Sequence, residues 1–270
     1  MKRIAFIGCG NMAAALISGL IKGSYTPGLI WVANRSSEKL VALESKYPIN
    51  LCRNNIEAVR AAEIIILAVK PQQLEVVCAE IAPALRSNQL LVSLAAGIEL
   101  QPLYGWLPGV MVVRAMPNLA VAMQQGVIGF LADRDLDPKI QSDLEGVFKR
   151  CALCVWLDNS RQFNGLTAIA ASGMAFYCLL SEYLLQAAES LGLPSDLAEV
   201  IIQKTELGTA LLSGVTQGGS SSLRTNITSP GGTTEATLSC FYEGGFNGMV
   251  VSAVDAAITR ANQLNTARDE

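Results

Sequence analysis

Arg3-Ile4-Ala5-Phe6-Ile7-Gly8-Cys9-Gly10-Asn11-Met12-Ala13 opens the chain and decides its fold. A short apolar run of strand length meets Gly8-x-Gly10-x-x-Ala13, the spacing of a dinucleotide-binding fingerprint. Beyond it Met12, Leu16 and Leu20, with Ile17 and Ile21, recur at helical spacing, and Gly23 is placed to end the helix. Each small residue has a job in that pattern. Gly8 makes the turn, Gly10 leaves room for a pyrophosphate, and Ala13 lets the helix lie close on its strand. The glycines alone would fit any tight turn. A strand before and a helix after make the stretch a nucleotide site, and Asn11 is counted among the expected cofactor residues.

The next strand reads as Ile30-Trp31-Val32-Ala33 and ends at Asn34-Arg35-Ser36-Ser37. An NAD-selective site usually carries an acid here for the ribose hydroxyls. No acid stands at these positions, and Arg35 with its serines suits a 2′-phosphate through charge-assisted hydrogen bonds. Asn34, Arg35 and Ser36 are therefore expected at the cofactor, with NADPH favoured and NADH the second possibility. The plainer reading makes Arg35 a solvated turn residue and Ser36 a helix cap.

Composition narrows the function classes. At 270 residues with 51% hydrophobic and 16% charged content, the chain can bury a sizeable core. A net charge of -3 gives no basic field for nucleic acid. There is no histidine, which rules out histidine bases, triads and histidine metal ligands. The seven cysteines sit mostly in apolar runs and fit reduced thiols in a cytoplasmic protein. Cys151-Ala152-Leu153-Cys154 has redox or zinc spacing, but it lacks a second pair and reads as part of a strand, so no metal is expected. The opening apolar run is too short for a secretory signal. Leu166 to Leu185 carries a single charge, Glu182, and is long enough to span a bilayer, but its flanks lack basic anchors and it is read as buried protein core.

The first half alternates strand and helix. Ala62 to Val69 is an almost continuous apolar run closed by Lys70-Pro71, the profile of a parallel strand buried on both faces. Gln72 to Leu85 forms the crossover helix. Leu90 to Leu94 and Met111 to Arg114 give further strands, closed by Ala95-Ala96-Gly97 and Met116-Pro117-Asn118. In such sheets ligands collect beyond the carboxyl ends of the strands, so Val69, Lys70, Pro71, Ala96, Gly97 and Asn118 are expected to border the cofactor crevice. Plain turn chemistry is the stronger reading for Pro71 and Gly97, and a solvated strand end fits Lys70 as well as a functional role does. Late strands are expected at Gly126 to Leu131 and Ala152 to Leu157, around a helix from Asp137 to Lys149.

After Asp158 the pattern becomes helical: Gln162 to Gly192, Ser195 to Leu212, Thr234 to Glu243 and Phe246 to Gln263. The expected architecture is α/β, a Rossmann-like dinucleotide-binding domain over 1–158 followed by an all-helical substrate and dimerisation domain over 159–270. The long first helix is apolar around much of its circumference and needs covering on several sides, which an intertwined homodimer would supply.

Between two helices lies Thr228-Ser229-Pro230-Gly231-Gly232-Thr233-Thr234. Paired glycines let a backbone approach an anion, while the flanking hydroxyls and the first amides of the next helix supply donors. A capped helix start is the simpler alternative.

Together with Ile4 to Ala13, Ala68-Val69-Lys70-Pro71, Ala95-Ala96-Gly97 and Arg114-Ala115-Met116-Pro117-Asn118, the Ser229 to Thr234 stretch makes the chain resemble the pyrroline-5-carboxylate reductases nearly end to end. These enzymes reduce a cyclic imine to proline with NADPH or NADH. The resemblance implies a cofactor site lined by Gly8, Gly10, Met12, Asn55, Ala68 and Lys70. It also implies a substrate site at Ser229, Gly231, Gly232, Thr233 and Thr234, with Thr234 the catalytic candidate near the imine nitrogen. It further implies a helical dimer, often built up into decamers.

Three places depart from the family pattern. Ala170-Ala171-Ser172-Gly173-Met174-Ala175-Phe176 stands where Ser-Gly-Ser-Gly-Pro-Ala-Tyr is common. Leu223-Arg224-Thr225 replaces Leu-Lys-Asp, and Leu119-Ala120 replaces the Thr-Pro after Asn118. Two other readings stand: a β-hydroxyacid-type dehydrogenase, which shares a nucleotide domain followed by a long-helix domain, and a non-catalytic NADP-binding regulator, to which the altered helix points. The first resembles enzymes with a lysine on the long helix, and Gln162 to Gly192 has none.

Overall fold

The computed structural model describes residues 1–132 and 136–266. The opening run is strand β1 (Ile4–Ile7), buried throughout, and the chain turns at Gly8 into helix α1 (Asn11–Lys22). There follow β2 (Ile30–Ala33), α2 (Ser37–Glu44), β3 (Asn50–Leu51), α3 (Asn55–Ala61), β4 (Ile64–Leu67) and α4 (Leu74–Ile81). Then come β5 (Leu90–Ser93), α5 (Leu100–Trp106), β6 (Met111–Pro117), β7 (Gly126–Leu131), α6 (Pro138–Phe148) and β8 (Ala152–Trp156). The strands form one sheet in the order β3-β2-β1-β4-β5-β6-β7-β8. β1 to β6 run parallel, whereas β7 pairs antiparallel to β6 and parallel to β8.

Alternation along β1 explains the layering. Ile4 and Phe6 face a core that includes Leu16, Ile17 and Leu20 of α1 and Phe148 of α6; Ala5 and Ile7 face Val59, Leu74, Cys78, Ile81 and Leu103. Helices thus cover both faces, as a parallel sheet requires. Full burial of each isoleucine, leucine, valine or phenylalanine among them contributes about 1.5–3 kcal/mol. The strand order reverses between β1 and β4, and both strands end at a crevice there.

Packing divides the chain into two units. One comprises Met1–Ala171 together with the end of the last helix from Ala257, and the other is Ser172–Ala256. The sheet ends at Trp156, close to the domain edge expected at Asp158, but α7 (Ser160–Leu166) packs with the sheet unit. Asn159 caps α7 by accepting from the amide of Gln162 at 3.0 Å. The second unit holds α8 (Gly173–Ser190), α9 (Ser195–Val215), α10 (Gly219–Asn226), α11 (Thr233–Glu243) and the first half of α12 (Phe246–Thr266).

Two expectations change. The run expected as one helix from Gln162 is broken by a π-helical turn at Thr167–Ser172, between α7 and α8. Inside that turn the Ala170 carbonyl accepts from Asn118 Nδ2 at 3.0 Å, and such an inserted side-chain donor loosens a helical ladder. The same run was expected to be buried core. Ser160–Ser190 is long and apolar enough to cross a membrane, yet only 22% of its apolar window is buried within the chain. Tyr177, Leu180, Tyr183 and Leu184 are exposed, because α9 covers one side of α8 and leaves the rest open. An apolar face of that size, open in the single chain, is the kind that marks an interaction surface.

Candidate active site

The crevice at the β1/β4 reversal is a cavity of 660 Å³. Gly8 and Gly10 line it beside Asn34, Arg35 and Ser36 after β2, Asn55 on α3, and Ala68, Val69 and Lys70 after β4. Gly8 has φ +95°, donates its amide to the Ala33 carbonyl at 2.8 Å, and lies so close to β4 that a Cβ would meet the Ala68 oxygen at 2.8 Å. Only glycine suits that turn. A Cβ at Gly10 would meet nothing within 4 Å, so the space in front of α1 is open. Gly10 is also the cap residue of α1 and contributes no side-chain cap, which leaves the first-turn amides for a ligand anion. These features fit the pyrophosphate of a dinucleotide.

Asn34 braces this turn. Its Oδ1 accepts from the Cys9 amide at 3.0 Å, and its Nδ2 donates to the Ser36 carbonyl at 3.0 Å. Neither Arg35 nor Lys70 forms an ion pair among the described residues. Cys9, Arg53, Asn54, Gln72, Gln73, Val76, Val77 and Glu80 complete the lining. Those after Pro71 escaped the sequence reading although the turn at Lys70-Pro71 had to carry the chain along the crevice. Arg53 and Asn54 follow a strand of two residues, too short to leave a pattern.

The remaining expected cofactor residues do not line this cavity: Asn11, Met12, Pro71, Ala96, Gly97 and Asn118. Asn11 is the exposed first residue of α1, and Met12 packs partly against the core. Asn118 is 8% exposed with its side-chain amide engaged, Oδ1 by the Val127 amide at 3.1 Å and Nδ2 by Ala170. Its side chain serves as a strut, which turn chemistry alone did not reveal. Gly97 packs against the last helix, where a Cβ would meet Leu264 Cβ at 2.6 Å.

Next to Gly97 lies a buried charge. Arg114 on β6 is 2% exposed, with Nη1 at 2.5 Å from Glu99 Oε2 and its guanidinium carbon 4.3 Å from the Phe163 ring centroid. Ser160 donates to the same Glu99 oxygen at 2.8 Å, so β6, the loop after β5 and α7 meet at one carboxylate. Burial pulls the guanidinium below its ordinary value and the Glu99 charge opposes the shift. Arg114 Nε has no hydrogen-bond partner among the described residues.

In the helical unit, Ser229 to Gly232 forms a tight turn closed by the Gly232 amide to the Ser229 carbonyl at 3.0 Å. Pro230 leads it and Gly231 adopts φ +71°, the arrangement of a type II turn. The Gly231 amide donates to Glu235 Oε2 at 2.7 Å, tying the turn to α11. Helix α11 starts at Thr233, and Gly232 offers it no side-chain cap. The hydroxyls of Ser229, Thr233 and Thr234 form no hydrogen bond among the described residues and stand beside the open first-turn amides. Expected substrate residues thus share one donor-rich turn.

The Cys151 thiol is pushed up to about 12 and Cys154 to about 11 by burial, so neither is a thiolate near neutrality. Among the described residues no cluster of three or more Cys, Asp or Glu side chains is placed to hold a metal.

Comparison with known proteins agrees along the chain. Residues 160–264 match the family model for pyrroline-5-carboxylate reductase dimerisation, and residues 3–97 match that for NADP oxidoreductase, coenzyme F420-dependent. The pyrroline-5-carboxylate reductase of Pseudomonas aeruginosa is 36% identical over 263 residues, 97% of this chain and 96% of that protein. The solved structure of the Coxiella burnetii enzyme superposes with a TM-score of 0.89 at 34% identity, covering 97% of this chain and 98% of that one. A Plasmodium falciparum pyrroline carboxylate reductase with NADP bound shares the fold, with a TM-score of 0.88 at 24% identity and 98% of each chain covered. With identity of this order over nearly its whole length, the chain belongs to the pyrroline-5-carboxylate reductase family.

Proposed function

We propose that this protein reduces 1-pyrroline-5-carboxylate to L-proline with NADPH, NADH serving as the weaker donor. The observation that carries the reading is the presence in one family member of both the uncapped glycine turn at Gly8 to Gly10 and the donor-rich turn at Ser229 to Thr234. Residues 1–158 act as the cofactor domain and 159–270 as the substrate and dimerisation domain. The working form is a homodimer in the cytoplasm, with a decamer as its higher assembly.

When bound, the reduced nicotinamide supplies the hydride that adds to the imine carbon. The chain's own task is to bind, orient and protonate. The first-turn amides of α1 take the pyrophosphate, and Arg35 with Ser36 takes the 2′-phosphate. The Ser229 and Thr233 hydroxyls and the α11 amides hold the substrate carboxylate. Thr234 donates a hydrogen bond to the imine nitrogen and relays a proton from water, so no histidine is needed. Met174 and Phe176, where the family commonly has proline and tyrosine, lie at the start of α8 and reshape the substrate side. Their effect falls on substrate choice and rate rather than on cofactor binding.

Thr234→Ala tests the assignment. The expected outcome is a fall in imine turnover of about tenfold, equal to roughly 1.4 kcal/mol of transition-state stabilisation, with the NADPH Kd unchanged in a fluorescence titration. Loss of both together would make the turn a structural element.

A further inference from the structure

We infer that Arg53 is a second guanidinium for the 2′-phosphate of the dinucleotide, which is then held between Arg35 and Arg53; this rests on the crevice being the cofactor site. Strands β2 and β3 are parallel neighbours with Val32 opposite Leu51, so their carboxyl ends emerge side by side, about 4.8 Å apart. Arg35 stands one residue beyond Asn34 after β2, and Arg53 one residue beyond Cys52 after β3. Both line the same cavity, with Ser36.

The backbone at Arg53 is held while its side chain is left available. The Cys52 amide donates to the Val32 carbonyl at 2.9 Å, the Arg53 amide donates to Glu57 Oε2 at 2.8 Å, and Asn54 caps α3 through the Glu57 amide at 2.8 Å. Neither the Arg35 nor the Arg53 guanidinium forms a hydrogen bond or an ion pair among the described residues. Two of the nearby carboxylates are engaged: Glu57 by the Arg53 amide, and Glu80, which also lines the cavity, by Asn55 Nδ2 at 2.8 Å.

The opposite end of the sheet behaves differently. There Lys2 and Arg3 are neutralised by Glu63 and Asp143. Arg35, Arg53 and Lys70 outnumber the one carboxylate of the lining, Glu80, and neither arginine is paired with it, so an anion is favoured between the two guanidinium groups. A phosphate monoester, carrying about −1.5 to −2 near neutral pH, supplies that charge, and arginine matches its oxygens in paired geometry. The ribose hydroxyl of the unphosphorylated cofactor offers no such charge.

The experiment measures Kd for NADPH and NADH by fluorescence titration in wild type, Arg35→Ala, Arg53→Ala and Arg53→Glu, with Lys46→Glu as a control for general surface charge. Circular dichroism verifies that each variant is folded. Arg53→Ala is expected to weaken NADPH about 10- to 100-fold, the loss of one charge-assisted contact, and Arg53→Glu further, with NADH within about twofold. Raising KCl should weaken NADPH binding less steeply in Arg53→Ala than in wild type. Unchanged NADPH affinity, or equal losses for both cofactors, overturns the role of Arg53 while leaving the crevice as the cofactor site. Failure of wild type to bind either cofactor overturns both readings.

Discussion

Arg114 and Glu99 make unequal demands although they form one ion pair. The arginine is 2% exposed and the Glu99 side chain 31%, so water can take over one partner but not the other. Glu99→Ala leaves an uncompensated guanidinium in the interior and should cost about 3–5 kcal/mol in urea unfolding, whereas Arg114→Met removes the buried charge and should cost less. Equal losses, or the reverse order, would contradict this placement. At this scale the residues visible in the sequence were those whose role is local. Gly8 and Gly10 announce a turn by their spacing, and Lys70 marks the end of an apolar strand. Arg53 and Glu99 gave no such signal, since their neighbours come from other elements. Asn118 shows the reverse problem: it stands at a strand end, as a ligand residue would, but its side-chain amide joins Val127 to Ala170.

Among elements, the buried strands were legible from their apolar runs, because a parallel strand covered on both faces admits few polar residues. β3, with two residues, could not be seen, nor could the short helices α3 and α5, each of seven residues. The π turn at Thr167–Ser172 takes a donor 52 positions away and has no local signature. The amino ends of the strands carry a pH-dependent tie: Glu63 accepts from the Arg3 amide at 2.9 Å and lies near Lys2 and the Arg3 side chain. The Arg3 backbone bond, and then these charges, hold its carboxyl below the ordinary range against the opposing effect of burial. A depressed native pKa contributes stability that is present in full above the ordinary glutamate value of about 4.3 and is lost as pH falls through the depressed one. Thermal melts across that window should show a shallower acid limb for Glu63→Gln than for wild type. Parallel curves would remove Glu63 from the acid response.

For the whole molecule, the exposed apolar surfaces of α8, α9 and α12 require a partner. Leu180 and Leu184 on α8, Leu207 and Leu211 on α9, and Met249 and Val251 on α12 are all open to solvent in the single chain. The match of residues 160–264 to a dimerisation model accounts for that surface. Leu184→Glu should shift sedimentation toward monomer, and wild-type Tm should rise with protein concentration while the variant's does not. A wild-type monomer at micromolar concentration would contradict the assignment. The glycine crevice and the Ser229 to Thr234 turn serve one imine reductase. The most direct measurement follows NADPH absorbance and proline formation with purified protein and 1-pyrroline-5-carboxylate, beside a 3-oxo acid. One proline should form for each NADPH oxidised, with no turnover of the oxo acid; tight NADPH binding with no proline formed, or turnover of the oxo acid instead, would show that the two sites do not make an imine reductase.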